Sequence, residues 1–150
     1  MSNRPSLLHA WPAHRHEAAS FTHALRSAFR WTAWERLITR HGLTIDRPKH
    51  APHPEHPSII YPLNYGYVNG THSTDGEPVD CFVGDAPTGL VGLIWTTNYR
   101  TGCREAKLLY RCTPADVYTA HGFINYAPSL LTGHLVMRRP MRTLWTALDK

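Results

Sequence analysis

The stretch Asp75-Gly76-Glu77-Pro78-Val79-Asp80 carries three carboxylates in six residues. Asp-Gly is a turn dipeptide, and Pro78 prevents a regular central strand through this point. In a regular strand Asp75 and Glu77 would share one face and Asp80 would take the other; a turn lets all three converge. Carboxylates about 5 Å apart repel by roughly 3 kcal/mol per pair at an effective dielectric of about 20. Protonation, cationic side chains or a bound divalent ion must offset that. Oxygen-only ligands suit hard ions such as Mg²⁺ or Ca²⁺. The spacing is not that of an EF-hand loop. The alternative is a solvated polar turn.

This acidic knot sits in a basic chain. The 150 residues carry 16 Lys+Arg against 11 Asp+Glu, a net charge of +5, and thirteen of the sixteen are Arg. Arg suits bidentate contact with phosphate or carboxylate. Residues 1–50 hold eight basic and three acidic residues, scattered rather than in a block, whereas four of the eleven acids fall between 75 and 85. The length fits one domain, and no run reaches the roughly 20 apolar residues of a membrane span. Residues 1–16 lack the apolar core of a signal peptide and read as a flexible arm. Cys81, Cys103 and Cys112 are odd in number and form no CxxC pair, which points to a reducing cytoplasm.

Stepping from these side chains to the backbone that must hold them, residues 17–150 read as one domain. Phe21, Leu25, Phe29, Trp34, Leu37 and Ile38 predict a helix over 17–41, with Gly42 as its stop. Leu43–Asp46, Ser58–Val68 (interrupted near Pro62), Val79–Val83, Leu90–Thr97 and Glu105–Arg111 read as strands, and Leu135–Arg138 as a last one. Four prolines between Arg47 and Pro57 predict an ordered or extended loop. Thr113-Pro114 predicts a helix start, with the helix running to about Asn125. A basic tail with Pro140 follows. The pattern is α+β, mainly β: a small barrel with a helix at each end.

Three ordered motifs carry a resemblance. Ile45-Asp46-Arg47-Pro48-Lys49, then Tyr61-Pro62-Leu63-Asn64-Tyr65-Gly66-Tyr67-Val68, then Thr74-Asp75-Gly76-Glu77-Pro78-Val79-Asp80 resemble the family I soluble inorganic pyrophosphatases. Glu105-Ala106-Lys107-Leu108 looks like that family's D-x-K-L strand. The resemblance covers about residues 42–111 well, 112–138 weakly and 1–40 not at all. It implies an OB-like five-stranded barrel with flanking helices, and Mg²⁺-dependent hydrolysis of pyrophosphate to two phosphates. By position it implies metal ligation by Asp75, Asp80 and Glu105, with Asn98 near a further ligand position. Glu77 falls at the general base, with Asp80 and Tyr65 beside it in the catalytic set. Arg47, Tyr65 and Lys107 match phosphate-binding positions, and Lys49 lies near enough to join them.

The chain also departs from that pattern. Glu77 and Glu105 stand where the family has Asp, and Asn98 falls where an Asp ligand is expected. The family's Tyr-Lys pair reads here as Tyr126-Ala127, and Glu35 is a conceivable stand-in for an early Glu. A shortened, divergent branch is implied, in which a catalytically weak or silent scaffold, or a hydrolase of another phosphoanhydride, is the alternative. The spacing of His50, His53 and His56 invites a Zn²⁺ or Ni²⁺ reading. A solvated loop, or a His50 or His53 contact with phosphate, stands against it. Trp31 and Trp34 are expected to pack a helix on the barrel or on another subunit rather than to stack on a base, with Cys81 and Trp95 in the core. An OB-like barrel of pI 9.4 also admits a nucleic-acid-binding module, but the gathered acids would repel a phosphate backbone. The expected partner is therefore the small-molecule substrate, with no membrane, nucleic acid disfavoured and a homo-oligomer left open.

Overall fold

The computed structural model describes residues 19–73 and 76–148. Residues 19–28 form helix α1, followed by α2 (Trp31–His41), β1 (Leu43–Arg47), β2 (Asn64–Val68), β3 (Asp80–Val83), β4 (Leu90–Asn98), β5 (Arg104–Tyr110), α3 (Pro114–Ile124), β6 (Leu131–Met137) and α4 (Met141–Leu148). The strands form one six-stranded sheet in the order β1-β2-β3-β5-β4-β6. All neighbours are antiparallel except β3 and β5.

Side chains alternate across this sheet with the strand period of two, so each strand feeds two cores. Phe82, Ile94, Leu109 and Met137 pack with Val117, Ala120 and Ile124 of α3 and Leu144 of α4. Their sequence neighbours Cys81, Leu93, Leu108 and Val136 pack with Ile38 of α2, and with Leu25, Phe29, Trp31 and Trp34. The site described below lies on the α3 side. Among the described residues no helix is long and apolar enough to cross a membrane.

The α+β, mainly β class is as expected, but four details differ. The sheet has six strands and is open: among the described residues β1 and β6 are its two edges, so the five-stranded closed barrel is not what forms. β6 starts at Leu131, four residues before the expected Leu135, and pairs with β4 from Gly92↔Met137 to Asn98↔Leu131. Its outer edge is occupied by side chains. Arg26 Nε donates to Met137 O at 2.7 Å, and Asn125 exchanges both of its amide groups with the Gly133 backbone.

The helix expected over 17–41 is two helices; residues 17 and 18 lie outside the described residues. The break falls at Phe29 and Arg30, where Arg30 adopts φ −88°, ψ 72°. No Gly or Pro announces it. Phe29 instead lodges against Trp31 (ring centroids 4.7 Å apart) and Trp34 (6.0 Å). The Trp31 indole N–H donates to Arg26 O at 2.9 Å, satisfying a carbonyl near the end of α1. Packing of these three neighbouring rings on the core that holds Ile38 has overridden the helix periodicity. The fourth difference is α4, where the sequence reads as a basic tail with Pro140. Met141, Leu144 and Leu148 place one apolar face on the α3 core.

Candidate active site

Strand register brings the site together. In the β2–β3 pair Tyr65 faces Phe82 and Tyr67 faces Asp80, so Tyr65 and Asp80 are diagonal neighbours on one face. The parallel β3–β5 pair aligns Cys81 with Leu108, which sets the preceding residues, Asp80 and Lys107, side by side. Tyr65 Oη donates to Asp80 Oδ2 at 2.6 Å. Lys107 Nζ donates to Tyr65 Oη (2.9 Å), Asp80 Oδ2 (2.8 Å) and Glu105 Oε1 (3.1 Å). All three ammonium protons therefore have partners.

Burial governs the protonation of this network. It pushes the Tyr65 hydroxyl well above its ordinary range, so the phenol keeps its proton and serves as a donor. Burial also opposes the charge on Lys107, but Tyr65, Asp80 and Glu105 outweigh it and raise its pKa. The result is a buried ammonium neutralised by two carboxylates.

Arg47 joins through a backbone irregularity. β1 pairs Ile45 with Gly66 and then Arg47 with Tyr65, so Asp46 is the extra residue of a β-bulge. Without it Asp46 would face Tyr65, and an acid would replace a guanidinium at the site. Close approach of the two strands demands Gly66: a Cβ there would lie 1.8 Å from Thr44 O. The Arg47 guanidinium sits 5.4 Å from the Tyr61 ring centroid and 5.9 Å from that of Tyr65, and it donates to Tyr61 Oη. Tyr61 is positioned by the Pro-rich loop, which folds back on it through His50 N to Tyr61 O (2.7 Å) and Tyr61 N to Ala51 O (2.9 Å).

A cavity of about 800 Å³ is lined by Arg47, Tyr61, Tyr65, Asp80 and Lys107. Its lining also includes an apolar set, with Ile60, Phe123, Ala127 and Leu130. His53 also lines it, stacked on Tyr61 at 6.1 Å. Burial and then Arg47 lower the pKa of His53, favouring the neutral ring.

The remaining expected residues are placed differently. Asn98 lines the cavity, but its Oδ1 accepts from the Arg100 and Thr101 amides and so closes the β4–β5 turn. Lys49 is exposed, and its backbone N–H donates to Asn64 Oδ1 at 2.8 Å. Glu77 lies on an exposed turn in which Ser73 N donates to Glu77 O, with Gly76 at φ 85°. Asp75 and Thr74 lie outside the described residues. Glu35 is no stand-in at this site: it accepts from Leu90 N (2.8 Å) and Arg138 (3.1 Å) and lines a separate pocket. Cys81 is buried as expected, whereas Trp95 is only partly so.

Tyr61 was not among the expected site residues. The signal was present, since Tyr61 and Tyr65 stand in one motif beside a single Arg. What placed Tyr61 in the site is the return of the loop, which is invisible in the motif itself.

As for a metal, the described residues contain no group of three His, Cys, Asp or Glu side chains arranged around one ion. The donor chemistry of Asp80 and Glu105 nevertheless fits a hard cation. Lys107 itself bonds a single oxygen of each carboxylate.

No family model matches the chain. Over 26 residues it is 62% identical to an inorganic pyrophosphatase of Haemophilus ducreyi, a match covering 17% of this chain and 15% of that protein. Over 39 residues it is 51% identical to an inorganic pyrophosphatase of Vibrio parahaemolyticus, covering 26% and 19%. The matched segments thus span less than a fifth of either relative. Solved structures with some likeness include the inorganic pyrophosphatase of Helicobacter pylori (TM-score 0.47, 17% identity, 71% of this chain and 90% of that one). Another is that of Thermus thermophilus (TM-score 0.44, 15% identity, 72% and 90%).

Proposed function

We propose that this chain, a divergent relative of the inorganic pyrophosphatases, hydrolyses inorganic diphosphate to two phosphates. The observation that carries the reading is the network joining Tyr65, Asp80, Glu105 and Lys107, in which Tyr65, Asp80 and Lys107 line one cavity with Arg47. Cations and hydroxyl donors lining one pocket are what a phosphoanhydride needs. Arg47 and Tyr61 bind phosphate oxygens, and Lys107 stabilises charge as the bridging P–O bond breaks.

Asp80 and Glu105, with Asp75 and Glu77 of the turn, would hold a hard divalent cation such as Mg²⁺. Once bound, that ion would supply charge neutralisation and a water of lowered pKa. Glu77 is assigned to orient the attacking water and take its proton, on the resemblance of its motif position.

A second reading has its own support. Asn98 spends its side-chain oxygen on a turn, and Ala127 offers no cation to the cavity. Both favour a weak enzyme over a fast one. The test is phosphate release from pyrophosphate with and without Mg²⁺. Release that needs Mg²⁺ and disappears in Asp80→Ala supports hydrolysis. No release above the uncatalysed rate rejects it in favour of a silent scaffold.

A further inference from the structure

The cavity is larger and greasier than a bare diphosphate requires. Its volume of about 800 Å³ is that of a site for an organic molecule. The apolar wall is also open to solvent: Ile60 is 47% exposed, Leu130 62% and Tyr126 83%. All three line the same cavity as Arg47 and Lys107. Single exposed apolar side chains are ordinary, but several gathered at one mouth mark a contact. Pyrophosphate has no apolar surface to offer them.

Resting on the hydrolytic reading above, we propose that the site takes a nucleoside diphosphate in preference to the bare anion. The terminal phosphate meets Arg47 and Tyr61, within the field of the Lys107 ammonium, while the base lies against Tyr126 and Leu130. An aromatic base is favoured over an aliphatic chain because the wall presents the rings of Tyr126 and Phe123. The lining also includes polar Ser58, His53 and Asn98, which suit a ribose rather than a hydrocarbon. In the reaction, water oxygen bonds to the terminal phosphorus and the bridging P–O bond breaks. The bond's electron pair leaves on the oxygen of the nucleoside monophosphate, and the water's proton passes to a carboxylate and then to solvent.

The experiment compares pyrophosphate, ADP and isopentenyl diphosphate with the full chain and Mg²⁺, by phosphate release and by calorimetric binding. The expected result is a KM for ADP about tenfold below that for pyrophosphate. Leu130→Ser, at an exposed position of the same lining, should raise the ADP value about fivefold and the pyrophosphate value less than about twofold. Pyrophosphate turnover with no preference for ADP, or with both substrates equally affected by Leu130→Ser, overturns the inference and leaves the proposed function standing. Preference for isopentenyl diphosphate also overturns it. ADP binding that depends on Leu130 without any turnover upholds the ligand class and rejects the hydrolytic reading; binding of neither rejects both. Self-association abolished by Leu130→Ser would give the wall to a second copy of the chain and overturn the inference.

Discussion

Tyr65 Oη lies 2.6 Å from Asp80 Oδ2, on diagonal positions of adjacent strands, and the phenol is the donor. The hydroxyl therefore fixes the direction in which the carboxylate presents its other oxygen. Tyr65→Phe keeps the ring in the core and deletes two contacts, the donation to Asp80 and the bond accepted from Lys107 Nζ. Its expected cost in stability is more than about 2 kcal/mol, because both partners are charged and a proton of the buried ammonium loses its acceptor, read from denaturant melts. Phosphate release should fall by more than about tenfold, because Asp80 is no longer held. Unchanged turnover would remove Tyr65 from the catalytic set.

Arg47 reaches the same face only by way of the bulge at Asp46. Arg47→Ala should leave the melting temperature within a few degrees and lower kcat/KM by a factor corresponding to about 1.5–3 kcal/mol, the range for a hydrogen bond to a charged group. Arg47→Lys should recover only part of the loss, since an ammonium lacks the planar fork. Full recovery by Lys would show that charge alone matters there.

Much of this was legible in the sequence. The three motifs fall on β1, β2 and β3, and they with the Glu105–Leu108 element supplied Arg47, Tyr65, Asp80, Glu105 and Lys107, which lie close together in the fold. The Thr113-Pro114 start was equally plain, and a full capping box with Asp116 forms there. The misses have two causes. Phe29, Trp31 and Trp34 all pack on the core that holds Ile38, and Met141–Leu148 becomes a helix because a core exists to receive it; neither core is visible in local spacing. Tyr61 is placed by the adjoining Pro-rich loop, whose path back through His50 and Ala51 no residue pattern specifies.

Gly66 is a position where no side chain fits, because a Cβ would overlap the Thr44 carbonyl. Gly66→Ala must push β1 away from β2 and carry Arg47 with it. A loss of more than about 3 kcal/mol is expected in urea or guanidinium melts, at the severe end for one substitution. A loss under about 1 kcal/mol would mean that the strands separate easily and that Arg47 is held by something other than this pairing.

His134 offers a pH test. Burial, then the neighbouring His121, lowers its pKa below the usual 6.5. The unfolded chain then binds the proton more readily than the folded one, so stability is complete above about 6.5 and declines as pH drops toward the folded value. His53 is shifted the same way and adds to the slope. Melting temperatures between pH 7.5 and 5 should fall with acidification, and His134→Gln should flatten the curve. A curve as steep in the variant would assign the acid sensitivity elsewhere.

The side chains seated along the outer margin of β6 have a bearing on how the molecule behaves in a crowded solution. A bare terminal strand is an invitation to foreign chains, which can zip onto its vacant amides and carbonyls. Here Asn125 imitates a neighbouring strand at Gly133, and Arg26 plugs the carbonyl of Met137. Stacking of sheet upon sheet from that flank is thereby discouraged, and α1 acts as a guard against fibrous assembly as well as a covering for the core.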